Sequence, residues 1–117
     1  MKIAIIGAGN MGSAIARGLA QGGLVQPEDI TVSNPSEGKL QALQAGIPGL
    51  EVTTSNVKAM GDADIIFLAV KPKVLEDVLR ELPLRNGLIV ASVVAGSSIN
   101  SILDYLAMIC PQGHVPD

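Results

Sequence analysis

The 117-residue sequence predicts an α/β domain built on a doubly wound, mostly parallel sheet. Short apolar runs rich in β-branched residues alternate with segments of helical periodicity, the signature of repeated βαβ units. A glycine-rich turn joins the first such run to the first helix with no intervening residues. Its 48% hydrophobic content excludes a disordered chain, and its length suits one domain with a real core rather than two.

The first element sets the frame. Residues 2–6, Lys2-Ile3-Ala4-Ile5-Ile6, read as a short buried strand. They run into Gly7-Ala8-Gly9-Asn10-Met11-Gly12, with glycines at the spacing of a dinucleotide-binding loop. Gly7 allows a sharp turn out of the strand. A Cβ at Gly9 would hold a pyrophosphate off the backbone, and one at Gly12 would hold the helix off the sheet. A helix opening near Asn10 presents free N–H groups to a diphosphate, so the turn needs no lysine or arginine. Met11, Ala14, Ile15, Gly18 and Leu19 recur at helical spacing and form the packing stripe. The competing reading is a glycine turn with no ligand; the flanking strand and periodic helix favour the binding loop.

Gln21-Gly22-Gly23 ends that helix, and Pro27-Glu28-Asp29 returns the chain to a second strand over residues 30–33. Asn34-Pro35-Ser36 forms a turn in which the side chain of Ser36 or Asn34 is expected to cap a helix over residues 37–44, closed by Gly46. A weak strand is expected over residues 50–53, then a short helix over 56–60 capped by Ser55 or Asn56. Residues 64–70 form a largely apolar run that suits a central strand covered on both faces. Lys71-Pro72 ends it, with Pro72 in the first turn of a helix carrying Val74, Leu75, Val78 and Leu79 on one face. Residues 88–94 supply another buried strand, and the small-residue loop Ala95-Gly96-Ser97-Ser98 leads to a helix containing Ile99, Ile102, Leu103 and Leu106. The ordered domain is therefore expected over residues 1–109, with an irregular tail over 110–117.

Composition narrows the function classes. A net charge of -3 leaves no electrostatic footprint for nucleic acid or an anionic membrane, so phosphate binding must be local. Cys110 has no disulfide partner, and with His114 it makes too small a ligand set for structural zinc; no metal site is expected. Phe67 and Tyr105 are the only aromatic residues, which removes stacking platforms for exposed bases. No apolar stretch is long enough to span a bilayer, and a cytoplasmic setting is expected. Asp62 and Asp64 sit at the end of a strand opposite the expected site and are assigned to helix termination or solubility.

Four blocks in order resemble the amino-terminal half of the pyrroline-5-carboxylate reductases: Ile6-Gly7-Ala8-Gly9-Asn10-Met11-Gly12-Ser13-Ala14-Ile15, Val32-Ser33-Asn34-Pro35, Phe67-Leu68-Ala69-Val70-Lys71-Pro72, and Ser92-Val93-Val94-Ala95-Gly96. The resemblance runs from Met1 to about Leu106. It implies a Rossmann-like fold, truncated before the helical dimerisation domain of that family, and hydride transfer from NADPH or NADH to the C=N carbon of an imine, 1-pyrroline-5-carboxylate, giving L-proline. It further implies that Gly7, Gly9, Asn10, Met11 and Gly12 hold the diphosphate and that Ser33 and Asn34 lie beside the adenosine ribose. Ala69, Val70, Lys71 and Pro72 would line the cofactor channel, and Val94, Ala95 and Gly96 would approach the nicotinamide.

Charge favours NADP over NAD as the cofactor. An acidic residue at the end of the second strand would bond the ribose hydroxyls of NAD and repel a 2′-phosphate, and Ser33-Asn34 stands there instead. Their hydroxyl and amide groups can donate to the phosphate, with Lys39 adding charge from the next helix. The family's helical domain and homo-oligomer complete its active site, so cofactor binding without appreciable turnover is expected of these residues alone. The alternatives are a non-catalytic nucleotide-sensing module and another NADP-dependent enzyme, such as a deazaflavin-dependent reductase or a hydroxyacid dehydrogenase.

Overall fold

The computed structural model describes residues 1–23, 25–85 and 87–92. In chain order the elements are β1 (Ile3–Ile6), α1 (Asn10–Gln21), β2 (Ile30–Ser33), α2 (Glu37–Gly46), β3 (Glu51–Thr53), α3 (Asn56–Met60), β4 (Ile65–Leu68), α4 (Pro72–Glu81) and β5 (Ile89–Ser92). A 3₁₀ turn at Pro27–Asp29 leads into β2.

The five strands among the described residues are parallel, in the order β3-β2-β1-β4-β5. β1 lies at the centre, with Ile6 opposite Ser33 on one side and Leu68 on the other. Strand alternation divides the core into two layers. Ile3 and Ile5 pack with Ala16, Leu40 and Leu43, placing α1 and α2 on one face. Ala4 and Ile6 pack with Met60, Leu75, Val78 and Leu79, placing α3 and α4 on the other. Every residue of β1 is buried, which explains the unbroken apolar run; each buried isoleucine contributes about 1.5–3 kcal/mol.

The chain reverses after β3, crossing β2 and β1 to reach β4. The segments leaving β1 and β4 therefore depart in opposite directions, and a crevice opens between them at the carboxyl ends of the strands. At the other end of the sheet, the Lys2 backbone N–H donates to Asp64 Oδ2 at 2.9 Å, and Lys2 Nζ pairs with Asp62 Oδ2 at 3.2 Å. These acids tether the start of β1 to the entrance of β4.

The structure decides between the two expected caps of α3 and corrects several other local expectations. The α3 cap is Ser55, whose Oγ accepts from the Lys58 N–H at 3.2 Å. No side chain caps α2, because Asn34 is engaged elsewhere. Val74 is exposed while Leu75, Val78, Leu79 and Leu82 are buried; at about 100° per residue, Val74 falls to the side of the stripe centred on Leu75 and Leu82. β5 is an edge strand among the described residues, and Ile89 is 49% exposed rather than buried. The region over residues 93–117, including the expected helix, the tail, Cys110 and His114, lies outside the described residues.

Candidate functional site

The glycine loop sits where β1 and β4 release the chain. Gly7 takes φ +109°, a left-handed conformation that L side chains rarely adopt, and its N–H donates to the Ser33 carbonyl at 2.8 Å. The Ala69 N–H donates to the Ile6 carbonyl at 2.8 Å, so the loops after β1 and β4 lie against each other. A Cβ on Gly7 would stand 2.9 Å from the Ala69 carbonyl carbon and closer still to its oxygen. A Cβ on Gly12 would stand 2.9 Å from the Gly7 carbonyl carbon and 3.4 Å from Ala69 Cβ. Gly12 therefore admits the loop's own backbone and the Ala69 side chain, a tighter constraint than helix-to-sheet distance alone.

Gly9 differs from both. A Cβ there would meet nothing within 4 Å, so this glycine leaves open space in front of the backbone where α1 begins. Gly9 is the N-cap of α1 and supplies no side-chain acceptor; the Ser13 N–H closes the first turn onto the Gly9 carbonyl at 2.9 Å. The N–H groups ahead of Ser13 have no intrahelical acceptor, and no acid stands in the first turn to compete for an anion. Met11 is 56% exposed beside this opening.

The end of β2 is wired into the loop. Ser33 is fully buried, and its Oγ donates to Asn56 Oδ1 at 2.6 Å. Asn56 Nδ2 in turn donates to Glu81 Oε2 at 3.2 Å, linking β2 through α3 to α4. The hydroxyl expected to face a ribose phosphate is thus turned inward, with its hydrogen engaged. Asn34 Oδ1 accepts the Ala8 N–H at 3.1 Å, and its Nδ2 donates to the Ser36 carbonyl at 3.3 Å. Asn34 therefore braces the glycine loop instead of capping α2. Sequence reasoning did not single out Asn56 for the site, because its link to Ser33 depends on sheet order rather than on local spacing.

A cleft of about 410 Å³ opens beside the loop between α1 and α2, lined by Ala8, Gly9, Asn10, Ser13 and Arg17 and, across from them, Lys39, Ala42 and Leu43. Lys39 is thus brought to the loop. Arg17 was not singled out from sequence, although Asn10, Ser13 and Arg17 have the i, i+3, i+7 spacing of one helix face. On the other side of the loop, Ala69 packs against the glycines, half-buried Val70 lies beside Gly7, exposed Lys71 is the N-cap of α4, and Pro72 occupies its first turn. Val94, Ala95 and Gly96 lie outside the described residues.

A smaller cavity of about 180 Å³ at the opposite end of the strands mixes Lys2 and Lys58 with Glu28, Asp29, Glu51 and Asp62. Its most evident electrostatic effect is local: the hydrogen bond from Lys2 holds the Asp62 carboxyl below its ordinary range, although Asp62 is exposed. Among the described residues no group of three or more His, Cys, Asp and Glu could hold a metal ion, and no helix is long and apolar enough to cross a membrane.

A parallel sheet with its glycine loop at the strand-order reversal defines this chain as a Rossmann-like domain of the dinucleotide-binding kind. It belongs to the family described as NADP oxidoreductase, coenzyme F420-dependent, whose sequence model matches residues 2–96. Among curated relatives it is 40% identical over 107 residues to a pyrroline-5-carboxylate reductase of Methanosarcina acetivorans, covering 90% of this chain and 39% of the relative. Among solved structures, a pyrroline-5-carboxylate reductase from Coxiella burnetii superposes with a TM-score of 0.80 at 31% identity, over 90% of this chain and 39% of that one. The Plasmodium falciparum pyrroline carboxylate reductase with NADP bound gives 0.75 at 27% identity, over 90% and 37%. This chain therefore spans about two fifths of the length of these reductases.

Proposed function

We propose that this chain is the NADP(H)-binding amino-terminal part of a reductase that converts 1-pyrroline-5-carboxylate to L-proline. The observation that carries the reading is the open face of Gly9 at the start of α1, set between two glycines whose missing side chains make room for protein backbone and for the side chains of Ala69 and Val70. The residues fit a dinucleotide: the Gly7, Gly9, Asn10, Met11 and Gly12 segment offers bare main chain to a diphosphate, with Gly7 shaping the turn and the Asn10, Met11 and Gly12 N–H groups lacking an intrahelical acceptor. Asn34 holds Ala8 in place, and Lys39 supplies positive charge beside the loop. Ser33 acts from behind, by fixing Asn56.

Ala69, Val70, Lys71 and Pro72 border the crevice on the β4 side, and the resemblance assigns the nicotinamide end to Val94, Ala95 and Gly96, which lie outside the described residues. When bound, the reduced nicotinamide supplies the hydride. The imine substrate must be held within near-attack distance of it, a task these residues do not accomplish alone. We assign it to a helical segment and a second subunit of the parent enzyme, a homo-oligomer acting in the cytoplasm.

Calorimetric titration of the chain with NADPH and with NADH tests the reading. The expected result is binding of both, NADPH more tightly, with no proline formed at an enzymatic rate on addition of pyrroline-5-carboxylate. Absence of binding to either cofactor would overturn it.

A further inference from the structure

The two cations on the cleft beside the glycine loop form the least explained cluster in the fold. The sequence carries 8 basic residues against 11 acidic ones, yet the residues lining this cleft include Arg17 and Lys39 and no carboxylate. Three of the other cations are engaged with protein groups: Lys2 pairs with Asp62, Arg80 pairs with Glu76, and Arg85 donates to the carbonyls of Gly61 and Ala63. Glu37, two residues before Lys39, lines a separate cavity with Gln41 and Gln44.

We infer that Arg17 is a specificity-determining residue for the 2′-phosphate of NADP(H), acting with Lys39 across the cleft. The inference rests on the cofactor reading under Proposed function and adds to it a residue with no place in the glycine motif. Arg17 stands seven residues beyond Asn10, roughly 10 Å along the helix and on the same face. Side chains of a helix lean toward its amino terminus, so the Arg17 stem is directed back over Ser13 toward the loop. Lys39 lies in the first turn of α2 and leans by the same rule toward the end of β2. Both cations line the cleft on the α2 side of the loop, the side to which the cofactor reading assigns the adenosine ribose, and the Ser33 hydroxyl is engaged with Asn56. A guanidinium can grip a phosphate through two parallel N–H bonds, whereas the ribose hydroxyl of NAD gives it no anionic partner.

The test is calorimetric titration of the chain and of its Arg17→Ala and Arg17→Lys variants with NADPH and NADH at low salt. The wild-type chain binding NADPH more tightly establishes the underlying reading before any variant is compared. Arg17→Ala is then expected to raise the NADPH Kd about tenfold, the scale of one charge-assisted hydrogen bond, with the NADH Kd within about twofold. Arg17→Lys should recover part of the loss. Equal weakening of both cofactors, or no weakening of either, would overturn the assignment while leaving the cofactor reading intact. Wild-type binding of neither cofactor, or preference for NADH, would remove both. Thermal unfolding without cofactor should be unchanged by either substitution, since Arg17 is exposed.

Discussion

Gly9 and Gly12 share a motif but answer to different constraints, and alanine at each separates them. At Gly12 an added Cβ would overlap the Gly7 carbonyl, a backbone group that cannot rotate aside, and would press on Ala69. Relieving it means moving the loop, at the upper end of the roughly 1–3 kcal/mol typical of overpacking. The intrinsic helix preference for alanine returns up to about 1 kcal/mol. The net expectation for Gly12→Ala is a loss of about 1–2 kcal/mol, several degrees in the melting midpoint. At Gly9 the added Cβ meets nothing, and φ −75°, ψ −165° is open to alanine. Gly9→Ala should then lose only about 0.5–1 kcal/mol, from a poorer N-cap, while the methyl group stands where a diphosphate would approach the main chain. NADPH affinity should fall by about tenfold or more. Urea unfolding and calorimetric titration of both variants decide the matter. A Gly12→Ala chain as stable as the wild type, or a Gly9→Ala chain binding NADPH normally, would refute the reasoning.

Two further outcomes follow from the hydrogen bonds. Ser33→Ala removes the donor to Asn56 Oδ1 and should destabilise the chain by about 1 kcal/mol, measured by urea unfolding. Asp62→Asn removes a carboxylate whose pKa is lowered in the folded state by the hydrogen bond from Lys2. Its stabilisation is present above the unfolded carboxyl pKa and is lost as pH falls through the lowered folded value. Unfolding midpoints of wild type and variant should therefore differ slightly at neutral pH and converge in acid, the difference being small because both side chains are exposed.

What could be read from the sequence follows the range of the forces involved. β1, β2 and α1 announce themselves through runs and periodicities that each segment carries within itself, and the strand at residues 30–33 emerges with the expected bounds. The Gly7 turn was legible for the same reason: backbone sterics are local. The partners of Ser33 and Asn34 were not, because Asn56 and Ala8 lie 23 and 26 residues away and meet them only after the sheet has set its order. A capping motif at Asn34-Pro35-Ser36 is a sound local inference that lost to a tertiary bond. Val74 and Ile89 show the converse limit, since an apolar residue marks a preference for burial without naming what covers it. Arg17 had a usable signal in its spacing from Asn10 and Ser13, but only the position of α2 makes that face a cleft wall.

The Asn34 side chain gives any redesign of cofactor choice an unexpected difficulty. An acidic residue at this position is the obvious way to court NAD. Yet the same amide clasps the peptide of Ala8 with its oxygen and steadies Ser36 with its nitrogen. Aspartate could keep the first grip and must forfeit the second, so a change meant to discriminate between two sugars also loosens the corner that receives either of them.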